Sequence, residues 1–375
     1  MSTAIPRPVP ARTPEKPVTS PPPARRADRA PAAGPRTPGV PAALGTSSKG
    51  SPRIAVRELL RAVRVSARRA WDEAPGDRRL MYLTGAALAA AGLVQAGIWA
   101  VTGGSASGPL SWRKPVTFGL SFGVTTVTLA AVAAYLPMRR WIGWVLSILL
   151  CASTAIEVIW VSVQHARGVP SHFNGTNPLD GALFTAAGIT IGVTILVMAV
   201  MTVLSFVRTT APAPMAWAIR AGLVALLAAQ GVGLWMIFHG EALLDAGADL
   251  LTRSMTTYGL AGAMKYAHAV PMHAIQVFMA QAWLLGLSGV GRGRQARLVA
   301  AAIAGYASLF AVALLRTAAG LAPFDLSAST LMYLIPAVLL AGSGAATLAH
   351  VYRALAGPRS GAPTRAITEA QPIHS

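Results

Sequence analysis

Five of the seven histidines, His165, His172, His239, His268 and His273, fall at one expected membrane face, among segments apolar enough to span a bilayer. Neutral imidazole ligates transition metals and titrates near physiological pH. Hydrocarbon penalises polar side chains, so a one-sided gathering of them marks a site. Three stretches carry this chemistry. Ser111-Trp112-Arg113-Lys114-Pro115 opens a span, and its Lys114 is either a snorkelling anchor or a site cation. The run from Gln164 through His165, Arg167, Ser171 and His172 to Asn174 is dense in hydrogen-bonding groups, with Gly168 and Pro170 fixing its path, and reads as a loop that folds inward. The run from Lys265 to Gln276 holds His268 and His273, five apart across Pro271 and therefore not a ligand pair on one helical face, whereas His273 and Gln276 do share a face. Glu157 sits inside a span on the same stripe as Gln164, protonated or paired with Arg167 or Lys114.

Each such group left unpaired beside hydrocarbon costs on the order of 1–3 kcal/mol, so the favourable arrangement lets them satisfy one another. The expected site is an outer-leaflet pocket of Glu157, Gln164, His165, Arg167, His172, Asn174, Lys265, His268, His273 and Gln276, with Lys114 and His239 at its margin. Among these, His165, His172, His268 and His273 are the candidate ligands for heme iron or another transition metal. No tight ligand spacing such as HxxxH or CxxC accompanies them. Cys151 is the only cysteine, which excludes an intramolecular disulfide and a cysteine-based metal motif.

The elements that position these residues follow from composition. With 54% hydrophobic and 12% charged residues and a mean hydropathy of +0.52, the long apolar runs need lipid rather than a larger soluble core. The expected fold is all-α, a polytopic bundle of about eight spans: 80–101, 116–136, 141–163, 181–207, 215–239, 270–290, 298–318 and 326–351, each reaching the roughly 20 residues a crossing needs. The positive-inside rule supports this count. One set of connections carries Arg139 and Arg140, then Arg208, then Arg292, Arg294 and Arg297, and the C-terminal tail continues with Arg353, Arg359 and Arg365. Both termini are expected in the cytoplasm and the protein in the cell membrane. Of the acids after the first span, only Glu369 maps inside; Asp245, Asp249 and Asp325 read as solvating loop charge.

Four segments follow. Residues 1–52 are rich in proline and too poor in apolar surface to order, which makes them a disordered basic tail without a signal-peptide core. In 53–79, Arg53, Arg57, Arg61, Arg64 and Arg68 recur at helical spacing while Val56, Leu60, Val63 and Ala67 line another face. That pattern suits a helix lying on anionic lipids of the inner leaflet. The membrane domain covers 80–354, and 355–375 form a polar tail. The net charge of +19 is concentrated in the tail and loops, which assigns it to topology rather than nucleic acid.

The motifs resemble those of a family of uncharacterised bacterial multi-span membrane proteins. The matching residues are Lys114-Pro115, Arg167-Gly168 ahead of Ser171 to Asn174, and Lys265, Ala267, His268, His273 and Gln276. The likeness covers most of the membrane region and none of the tail, and implies a shared outer site but no specific activity. The chain departs from the pattern at Gly262-Ala263, where the family has Gly-Asp. Three functions fit the sequence: a closed outer-leaflet binding or catalytic pocket, ranked first because polarity confined to one side suits a pocket; a transporter of an ion or small solute; and a non-enzymatic assembly protein.

Overall fold

The computed structural model describes residues 52–175, 177–248, 253–325 and 327–356. The expected N-terminal tail and nearly all of the C-terminal one lie outside these residues. Ten α-helices follow in order: α1 (Pro52–Asp72), α2 (Gly76–Thr102), α3 (Arg113–Ala133), α4 (Arg140–Ala166), α5 (Pro178–Val207), α6 (Ala213–Asp245), α7 (Met264–Met272), α8 (Ala274–Gly286), α9 (Arg292–Ala318) and α10 (Leu334–Ala356). Two-residue strands, β1 (Thr257–Tyr258) and β2 (Gly262–Ala263), form an antiparallel hairpin before α7. Seven helical segments of the described residues, α2 to α6, α9 and the stretch Ala328–Ala356 that includes α10, are long and apolar enough to cross a membrane. The chain is an all-α membrane bundle.

The expected sixth span, 270–290, is not one helix. It is replaced by α7 and α8, nine and thirteen residues on either side of His273, which takes φ −96° and ψ −1°. Pro271 stands inside α7 just before the break, and it weakens the hydrogen bonding of this stretch, because it lacks an amide hydrogen and its ring crowds the carbonyl four residues back. α7 also begins earlier than the apolar run, so Lys265 and His268 stand on a helix rather than in a loop. Both half-helices pack against α6 and α9, so end to end they occupy the place of a span.

Close approach of backbones holds α2 to α3. A Cβ on Gly123 would lie 2.5 Å from Ala89 N, and one on Gly92 would lie 2.8 Å from Leu120 N. Gly85 and Gly119 complete this seam, the small-residue packing that substitutes for a hydrophobic drive inside lipid. α4 and α5 are joined instead by hydroxyls: Ser153 and Thr194 meet at 2.7 Å. The apolar core lies toward the middle and the α1 end, where Leu129, Leu150, Val197, Ile219, Leu223 and Phe278 are fully or almost fully buried.

The connections after α3 and α5 meet at the α1 end, where Thr210 N donates to Tyr135 O at 3.0 Å. α1 docks there through Ala55 and Ala62, which are buried, and Ser66 accepts from Trp283 Nε1 of α8 at 3.3 Å. Its Val56, Leu60 and Val63 remain 57%, 50% and 45% exposed, an apolar stripe that no part of the described protein covers.

Candidate functional site

At the opposite end, the connection between α4 and α5 folds over the helix ends, because its polar groups find partners there. Asn177 caps α5, accepting from Asp180 N at 2.9 Å, with Pro178 in the first turn. Asp180 then collects donors from both sides: Gln164 Nε2 at 2.9 Å, Arg167 Nη1 at 2.6 Å, Asn177 Nδ2 at 2.7 Å and Asn174 Nδ2 at 3.3 Å. Arg167 Nη1 also donates to Gln164 Oε1. Trp160 Nε1 donates to Ser171 O at 3.1 Å, tying the loop to α4 one turn deeper. Phe173 reaches across to α6, where only a glycine fits: a Cβ on Gly240 would lie 2.6 Å from its ring. Phe173 holds φ +59°, a conformation uncommon for a side-chain-bearing residue, and its wedged ring fixes it there.

Beneath this roof lies Glu157, fully buried on α4. Its Oε1 accepts from Thr190 of α5 at 2.5 Å, and its Oε2 has no hydrogen-bond partner among the described residues. Lys114, at the start of α3, lies within Coulombic range of Glu157 on one side and of Lys265 on the other. His172 feels both lysines, and its ring lies between Phe118 at 5.7 Å and Phe184 at 6.0 Å. Burial first, and then the Lys114 charge, hold the His172 imidazole well below its usual 6.5, so it is neutral at physiological pH. Lys114 of α3 therefore links the Glu157 carboxylate of α4 to Lys265 of α7 and to His172 of the roof loop.

The remaining expected residues are placed elsewhere. His165 stacks edge-on against Trp112 at 4.3 Å, on the rim. His239 sits against Tyr258, its Nε2 facing Thr257 O at 3.1 Å, and fastens the β-hairpin segment to α6. His268 donates from Nδ1 to Ala229 O at 2.7 Å, in space left open by Gly233. His273 lies at the helix break, within electrostatic reach of His268. Gln276 closes that break: with its amide nitrogen turned inward it donates to His273 O at 3.1 Å and Met272 O at 3.2 Å. His268, His273 and Gln276 thus form a second cluster on α7, α8 and the break between them, held to α6 through Ala229 O. No three of His, Cys, Asp or Glu gather closely enough to hold a metal ion among the described residues.

Of the alternatives open for Glu157, pairing with Arg167 falls away, because Arg167 pairs with Asp180. The reading of Asp325 is corrected. Asp325 is not plain solvating charge: it takes Arg316 Nη2 at 2.6 Å, and Arg316 is a buried residue at the end of α9 that also donates to Ser329 Oγ at 2.6 Å and Ala322 O at 2.9 Å. The hydroxyl of Ser327 foremost, with those of Thr330 and the Arg316 guanidinium, holds the Asp325 carboxyl well below the usual carboxylate range. Asp180, Asn177 and Thr190 are site residues that the sequence reading passed over. The first two were marked by the helix-start pattern Asn177-Pro178-Leu179-Asp180, whereas Thr190 lies in an apolar run with no local signal.

The Gly262 that precedes Ala263 has a packing role: a Cβ there would run into Thr317 O. Comparison with protein-family models, with curated proteins and with solved structures gives no match, so the geometry alone carries the functional argument.

Proposed function

We propose that this integral membrane protein binds a small molecule in a carboxylate–lysine centre at its extracytoplasmic end, formed by Glu157, Lys114, His172 and Lys265. One observation carries the reading: a fully buried carboxylate with one oxygen unpartnered among the described residues, with Lys114 of α3 in its field and Lys265 of α7 in the field of Lys114. Burying such a group is unfavourable unless something pairs with it, which makes an intramembrane carboxylate a candidate binding group. The matching ligand has a hydrogen-bond donor for Glu157, an acceptor for lysine, and an apolar body for the aromatic surround of Phe118 and Phe184. A transition metal held by protein ligands alone is a poorer fit, because His165, His172, His268 and His273 stand in three separate settings, none of which gathers three such donors among the described residues.

Dicyclohexylcarbodiimide, an apolar reagent for protonated carboxyls, tests this centre in purified protein. The expected result is an acylurea adduct on the α4 peptide that is lost in Glu157→Gln. A folded protein with adducts only on loop acids would overturn the reading.

The second reading, transport of an ion or small solute, rests on the polar groups that follow Glu157 between α4 and α5: the Thr190 hydroxyl, the Thr190 carbonyl that accepts from Thr194, and Ser153 beside Thr194. The arginine distribution supports an orientation in which α1, the connections beside it and both termini face the cytoplasm, and the membrane we propose is the cell membrane. In that orientation the exposed apolar stripe of α1 rests in the inner leaflet, and Arg53, Arg57, Arg61, Arg64 and Arg68 meet anionic head groups. A reporter fused after Arg365 should be active only as a cytoplasmic fusion, and one inserted near Asp245 only as an extracytoplasmic one. The opposite pattern would reverse the orientation.

A further inference from the structure

At the α1 end, on the far side of the bundle from Glu157, a cavity of about 300 Å³ opens between the ends of α2, α3, α4 and α5. Its two walls differ in chemistry. Toward the bundle it is lined by Met81, Leu136, Leu146, Val197 and Met201. At the mouth stand Asp77, Arg78, Arg139 and Arg140. The side chains of Arg139 and Arg140 make no hydrogen bond or ion pair among the described residues and are exposed, whereas Arg78 already gives one donor to Glu73 O at 3.1 Å. Asp77 leans into the first turn of α4, in a place kept open by Gly143, whose Cβ would collide with the carboxylate.

We propose that this cavity is a discrete site for one anionic phospholipid whose head group carries hydroxyls, of the phosphatidylglycerol class. The cavity lies where four helices end, the level at which phosphates sit, and basic pockets between transmembrane helices at that level suit lipid head groups. Arginine guanidiniums match phosphate oxygens, and those of Arg139 and Arg140 have their donors free of protein partners among the described residues. The apolar wall takes the glycerol backbone and the first methylenes, which a soluble phosphate or nucleotide does not offer. Asp77 selects among anionic lipids. A carboxylate beside the phosphate site disfavours the extra charge of a phosphate monoester, as in phosphatidic acid, and accepts a hydrogen bond from a head-group hydroxyl. The site is separate from the stripe of α1, which offers a surface to many lipids rather than a cavity to one.

Native mass spectrometry of the full chain in detergent, with added phosphatidylglycerol, phosphatidic acid or phosphatidylcholine, tests this. The expected result is one retained phosphatidylglycerol, at least tenfold weaker retention in Arg139→Gln/Arg140→Gln, and unchanged retention in Arg57→Gln/Arg61→Gln of α1. Asp77→Asn should keep lipid binding while erasing the preference over phosphatidic acid. Equal retention of phosphatidylcholine, or retention that follows the α1 arginines instead, would overturn the site. A preference for phosphatidic acid in the wild type would overturn the role of Asp77.

Discussion

Gln164→Leu removes the pin that joins the roof loop to α4, at nearly constant volume. Gln164 is fully buried and has two ionised partners: it donates to Asp180 and accepts from Arg167. A hydrogen bond to a charged group contributes about 1.5–3 kcal/mol, so the two together contribute roughly 3–6 kcal/mol. The Arg167 side chain is 37% exposed, and water can replace its lost acceptor in part, which brings the net cost down to about 2–4 kcal/mol. In a domain of this size that is a fall in Tm on the order of 5–10 °C. The loss should be local first, because Asp180 retains Asn177 and its place at the start of α5. Two assays follow: thermal unfolding in detergent, and limited trypsin digestion at the Arg167–Gly168 bond. The variant should be cut there at temperatures at which the wild type resists. If Tm moves by less than about 1 °C and the bond stays protected, the roof is held by something other than this network, and the reasoning fails.

His172 gives a pH dependence. Its folded-state pKa lies below the unfolded 6.5, so the unfolded chain binds more protons, and stability present above 6.5 is lost as pH falls below it. Wild-type Tm should therefore drop between pH 7.5 and 5.5, and His172→Gln should flatten that drop; an equal drop in both would assign it to another group. Gly123→Ala drives a methyl into Ala89 of α2 and should cost about 1–3 kcal/mol, read as a lower Tm. A stabilised Gly123→Ala would mean that α2 and α3 are not in backbone contact. Deleting residues 1–50 should leave the Tm of the membrane domain unchanged, because that stretch has no periodic apolar face with which to dock.

Much of the fold was legible because lipid imposes it. An apolar run of a span's length has few alternatives, and α2 to α6, α9 and α10 all fall on such runs. The exception is instructive: Pro271 was visible, but whether a proline kinks a helix or ends it depends on the neighbours that re-satisfy the backbone, here Gln276 and His273. At the site, residue type pointed to polar side chains and to a loop dense in them, yet type does not choose partners. Arg167 had two acids to choose from, and the short reach from the loop to Asp180, fixed by the Asn177 cap, decides between them. Nor does local sequence reveal that His268 spends its Nδ1 on an α6 carbonyl, since that partner lies 39 residues away.

The break at His273 bears on how the chain enters the membrane. α7 is a nine-residue helix carrying Lys265 and His268, too short to cross alone and too polar to rest in lipid. Its partners are α6, already made, and α9, which is synthesised later. A nascent chain that ends before α9 therefore offers the translocon a segment with only half of its shelter. α7 therefore enters the membrane only as the continuation of α8, and a truncation before Arg292 should leave it less firmly held than in the full chain, while α2 to α6 cross as usual.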